Sequence, residues 1–138
     1  MLRLAAIFNF LLAIGHLVCM PWLDAVFKLY GINGIMNDIA SRGAVLPYLI
    51  TIIIAICFAM CGLYALSADG QIRKLPLLWT GIFFIAAVFL FRAIIGGFGM
   101  IESGQCPFTD MSSAIVSCVI GLLYLVGGIN KKSSNESQ

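Results

Sequence analysis

The chain has 138 residues, 62% of them hydrophobic and only 10% charged, with a net charge of +2. A soluble domain of this size could not cover so much apolar surface with so few charges, and nothing in the charge balance points to nucleic acid. Long apolar runs almost free of charge read instead as membrane spans.

Four runs are long enough to cross a hydrocarbon core of about 30 Å at about 1.5 Å per residue. They cover residues 4–23, 44–66, 75–98 and 111–128. Backbone groups in lipid must be satisfied within the segment, which demands helices, and the alternation of outer-membrane strands is missing. The expected fold is an all-α membrane protein, a four-transmembrane-helix bundle forming one domain over residues 1–130.

The first run follows "MLR" and could mimic a secretion signal. It reaches about 20 residues and no A-x-A-like site closes it, so it is read as a retained helix. Asn9, Ala13, His16 and Met20 fall on one face of it. In the link that follows, Trp22, Leu23, Val26, Phe27 and Tyr30 share a face, with Asp24 and Lys28 on another. That pattern fits a short amphipathic helix in the first outer loop, or a first helix that simply runs long. "GING" then turns the chain.

The second run carries Thr51, Ala55, Ala59 and Gly62 in one stripe, with Tyr48 above them. "SADGQIRKLP" reads as a tight turn, with Asp-Gly ending one helix and Pro76 in the first turn of the next. The third run has Gly81, Ile85, Val88, Arg92, Gly96 and Gly99 in register, and the fourth has Ser113, Ser117, Gly121, Tyr124 and Gly128. Small-residue stripes let membrane helices approach closely, so these faces are expected to point inward. Thr109 or Asp110 can cap the fourth helix. Residues 131–138 are polar and read as a disordered tail.

Basic residues set the orientation. With four spans, Arg3, Arg73, Lys74, Lys131 and Lys132 share one side, against Lys28 and Arg42 on the other. Both termini are therefore expected to be cytoplasmic.

Arg92 stands alone in its span. A charge at the bilayer centre costs about 2.5–3.5 kcal/mol. Arg92 lies about 24 Å beyond Pro76, in the outer third of the span. From there it either snorkels to the outer head groups or faces the bundle. No acid lies within any span, so an inward Arg92 needs partners from the outer ends of the helices. His16, Tyr48, Thr51, Asp110 and Ser113 all belong there. A pocket of these residues with Arg92 would suit a greasy ligand with an anionic or hydrogen-bonding head group, because arginine offers a planar fork to carboxylate or phosphate. His16 is also consistent with a hydrogen-bonded packing residue.

His16, Cys19 and Met20 share a turn, but no second set of ligands at defined spacing accompanies them, and neither a metal nor a cofactor is expected. Cys57, Cys61 and Cys118 read as small buried hydrophobes, while Cys19 and Cys106 could pair in an oxidising exterior.

Together, four short helices, His16 in "FNFLLAIGHL", the turn "GLYALSADGQIRKLPLL" and the arginine of "LFRAIIGG" resemble small four-helix bacterial inner-membrane proteins, loosely of the DoxX type. The resemblance implies a bacterial cytoplasmic membrane and transfers no activity and no functional residue.

Three functions compete. The first is binding of a lipid-like or hydrophobic ligand, or of a partner's helix, in the pocket around Arg92 and His16. The second is a small transporter or exporter, working as a homodimer or within a larger membrane complex. It meets the objection that His16 is the only titratable group of the kind ion-coupled carriers use. The third is a thiol-redox or lipid-modifying enzyme, for which Cys19 with Cys106, or His16 with Asp110, are thin machinery. Binding without catalysis is the favoured expectation.

Overall fold

In the computed structural model, which describes residues 1–104 and 106–136, the chain is helical throughout apart from short links. The order is α1 (Leu2–Val18), a 3₁₀ turn (Met20–Trp22), α2 (Leu23–Leu29), α3 (Asn33–Arg42), α4 (Leu46–Asp69), α5 (Leu78–Ser103) and α6 (Phe108–Glu136). Three helices, α4, α5 and α6, are long and apolar enough to cross a membrane. Leu2–Val18 and Met20–Leu29 together make a fourth span if this pair, bent by 53°, counts as one.

The expected first span over 4–23 is therefore not one straight helix. Pro21 has no N–H to give and its ring crowds the carbonyl four residues back. The chain tightens at that point, and the Trp22 N–H donates to the Cys19 carbonyl at 3.0 Å. The turn at "GING" is also shorter than expected. Gly31 takes the positive φ of +67°, and α3 begins at Asn33 with Gly34 inside it.

The chain forms two compact units, Met1–Phe8 with Cys61–Gln138, and Asn9–Met60. In the first, α5 packs along α6. Four positions of the α6 stripe, Ser117, Gly121, Tyr124 and Gly128, are buried as expected. On α5 the seam differs from the small-residue stripe. Its buried residues are Ile82, Ile85, Ala86 and Phe89, while Val88 is 50% exposed. The reason is complementarity. A Cβ on Gly121 would stand 2.8 Å from the Leu90 Cγ, and one on Gly128 would stand 2.8 Å from the Ile82 Cγ2. Glycines on α6 leave hollows, and bulky α5 side chains fill them.

Tyr124 locks this packing. Its ring stacks on Phe89 with centroids 6.3 Å apart, and its hydroxyl donates to the Cys61 carbonyl at 2.6 Å, tying α6 to α4. The α4–α5 link is held by the buried Ser67, whose hydroxyl donates to the Arg73 carbonyl and accepts from the Leu75 N–H, both at 2.9 Å. Leu77 then takes a left-handed conformation at φ +51° and α5 starts at Leu78, so Pro76 lies before the helix and not in its first turn.

At its other boundary α6 starts at Phe108, which puts Thr109 and Asp110 inside the first turn. Asp110 there complements the positive helix end. Further on, α6 continues through Glu136, across residues 131–136 of the tail expected to be disordered. No glycine or proline follows Gly128, and extending a nucleated helix is easy compared with starting one. Residues 137 and 138 of that tail lie outside the described residues.

In the second unit, Leu23 is buried and Val26 and Phe27 are half-buried, while Asp24 and Lys28 are exposed. Trp22 and Tyr30, assigned by spacing to the same apolar face, are 64% and 44% exposed.

Candidate functional site

Arg92 sits on α5 with 14 helix residues before it and 11 after it. The helix runs five residues past the expected end of its span, over residues 99–103, apolar as far as Ile101 and polar at Glu102 and Ser103. Arg92 thus lies closer to the middle of its helix than the outer-third estimate suggests.

Its partner is Ser113 on α6. The Arg92 Nη2–H donates to the Ser113 Oγ at 3.4 Å, a long contact. The same hydroxyl donates its own proton to the Asp110 carbonyl at 3.0 Å, so Ser113 turns a lone pair toward the guanidinium. Gly96, one turn beyond Arg92, also faces α6, since a Cβ there would be in ordinary contact with the Ala114 Cβ at 3.4 Å. Among the described residues no carboxylate lies within 4.0 Å of Arg92; the ion pair present is between Arg3 and Asp69. Arg92 and Ser113 are therefore brought together, and Asp110 joins through its backbone carbonyl, its side chain being exposed.

The other expected site residues belong to the Asn9–Met60 unit. His16 is half-buried on α1. Its Nδ1 lies 2.8 Å from the Leu12 carbonyl. A carbonyl only accepts, so Nδ1 carries the proton and Nε2 is left as an acceptor when the ring is neutral. The ring rests against Phe58 with centroids 5.1 Å apart at 47°. This is the satisfied packing geometry that the sequence also allows for. The buried Thr51 donates its hydroxyl to the Pro47 carbonyl at 2.9 Å, a bond internal to α4 that spends its donor. Tyr48 stands in the first turn of α4 and is 44% exposed.

Several polar residues outside the expected pocket matter. The Arg3 Nε–H donates to the Asp69 carboxylate across 66 positions, joining the start of α1 to the end of α4. Asn9 and Ser67 are fully or almost fully buried. Ser67 had a weak signal, standing just before the Asp-Gly turn it holds; the Arg3–Asp69 pairing had none, because nothing local links the two residues. Cys19 and Cys106 are both thiols, half-buried and exposed respectively.

No family model, no curated protein and no solved structure matches this chain.

Proposed function

We propose that the chain is a multi-pass protein of a bacterial cytoplasmic membrane that binds, without transforming it, a hydrophobic or lipid-like ligand with an anionic or hydrogen-bonding head group. In this reading the bent Leu2–Leu29 segment is the first of four spans, both termini are cytoplasmic, and α3 lies at the outer interface. The head group is held at Arg92 and its tail lies along the exposed apolar side chains of α5.

One observation carries the reading. Arg92 holds a permanent charge within an apolar helix, and among the described residues its hydrogen-bond partner is a neutral hydroxyl at 3.4 Å. A hydroxyl does not neutralise a guanidinium. One N–H goes to Ser113, and arginine has five. A charge at that depth costs about 2.5–3.5 kcal/mol, which an anionic head group would offset. Exposed Val88, Phe91 and Ile95 near Arg92 on α5 supply the apolar surface for the tail.

The test is native mass spectrometry of the protein purified in mild detergent, wild type against Arg92→Ala. The wild type is expected to carry a co-purifying adduct, and the variant to retain it at least about tenfold less, from the loss of a charge-assisted bond. Absence of any adduct on wild type, or equal retention by both, rejects the reading.

A further inference from the structure

A second polar site lies in the first compact unit, about 26 Å along α6 from Ser113. Here the start of α1, the end of α4 and the last turns of α6 enclose an open cleft of about 270 Å³. Met1, Leu2 and Gly127 form its apolar side; Asp69, Asn130 and Lys131 form its polar side. Gly127 is what lets α1 come so close, since a Cβ there would stand 2.9 Å from the Leu2 Cγ.

The charges in the cleft do not cancel. Arg3 is bonded to Asp69 through its Nε–H, which leaves that pair neutral. Lys131 lies within Coulombic reach of Asp69 and is exposed, and among the described lining residues it adds a positive charge beyond the Arg3–Asp69 pair. Arg73 and Lys74, exposed on the link four and five positions after Asp69, add the same sign. The volume is below the roughly 300–1,000 Å³ of sites that engulf a whole drug-sized ligand, so the cleft suits a head group. Beside it, Leu4 and Ile7 on α1 and Val126 and Ile129 on α6 are exposed apolar side chains that acyl chains can cover.

We propose that this cleft binds the phosphate of an anionic phospholipid from the adjacent leaflet, with Lys131 as the charge partner and the Asn130 amide as a hydrogen-bond donor. Asp69 opposes the bound phosphate, and Arg3 screens it. The apolar rim favours a lipid over free phosphate. This site is independent of the one at Arg92 and does not need the orientation of the chain to be known.

The experiment places the full chain in detergent with equal amounts of phosphatidylglycerol and phosphatidylcholine of identical acyl chains and counts bound lipids by native mass spectrometry. Preferential retention of phosphatidylglycerol is expected. Lys131→Ala should lower it about fivefold, the contribution of one basic residue near an anionic surface. Lys74→Ala, outside the cleft, should lower it less than twofold, and Asp69→Asn should raise it. Lys131→Gln, which keeps a long polar side chain and removes the charge, should reproduce Lys131→Ala and guards against a folding defect. Equal retention of the two lipids overturns the proposal. So does an equal fall in Lys131→Ala and Lys74→Ala, which would mean diffuse surface charge, or the absence of a rise in Asp69→Asn. Displacement of the lipid by millimolar inorganic phosphate would make this a free-phosphate site and overturn it as well.

Discussion

Arg3 and Arg92 carry the same guanidinium within the same compact unit and meet different partners. Arg3 stands at the start of α1 with its side chain 66% exposed and bonds a carboxylate, Asp69, whose side chain is 19% exposed. Arg92 stands within α5 and bonds a neutral hydroxyl. The difference follows from what lies nearby. At the helix ends, water and acids are available, and an ion pair forms at low cost. Along α5 and the facing part of α6 the sequence supplies small and apolar residues, and Ser113 is the polar group within reach. One arginine is compensated by the fold itself; the other is compensated only in part. That contrast is what makes Arg92 a binding candidate and Arg3 a fastening.

Arg92 meets Ser113 across the α5–α6 seam, so the largest expected effect comes from breaking that seam. Gly121→Leu places a side chain against Leu90, whose backbone nitrogen already lies 3.1 Å from the position of a Cβ. Backbone cannot yield as a flexible side-chain tip can, and overpacking of this kind costs about 1–3 kcal/mol. Thermal unfolding in detergent should show a clear fall in the midpoint; an unchanged midpoint would mean that α5 and α6 are not packed as described.

A smaller effect is expected at the compensated arginine. Arg3→Ala removes the partner of Asp69, but the exposed guanidinium is well solvated and screened. The loss should lie within about 0–1 kcal/mol and shrink further in high salt. A loss that is large and insensitive to salt would show that Arg3 acts through packing and not through charge. The smallest change is expected from Ser113→Ala. The 3.4 Å contact is long and exposed, so stability should move by less than about 0.5 kcal/mol in the same unfolding measurement. A large loss would mean that Ser113 compensates Arg92 fully, and the contrast between the two arginines would disappear.

Much of this molecule is legible along the chain. The apolar runs locate α4, α5 and α6, and the α6 stripe of Ser117, Gly121, Tyr124 and Gly128 is buried as its spacing implies. The α5 stripe was misread for a physical reason. Small residues on one helix call for large ones on its neighbour, so Ile82 and Phe89 form the seam while Val88 turns outward. Residues 131–136 are helical because polarity argues against a packed core but not against continuation of a helix already formed. Of the candidate site, Arg92 and Ser113 were recognisable as polar residues near the same level of neighbouring helices. That His16 and Thr51 bond the backbone of their own helices was not, because hydropathy does not reveal a bond to a residue four positions back.

The sequence by itself determined the class of protein and the approximate position of each long helix. Hydrophobic runs and their interruptions are local properties, and lipid enforces helices wherever such a run occurs. The tertiary structure decided the rest: the bend after Val18, the knobs of α5 in the glycine hollows of α6, the pairing of Arg3 with Asp69 across 66 positions, and the Ser113 hydroxyl that meets Arg92. Each depends on how one helix is rotated and registered against another, which is fixed by side-chain shape across the contact and not by any order of residues along one helix.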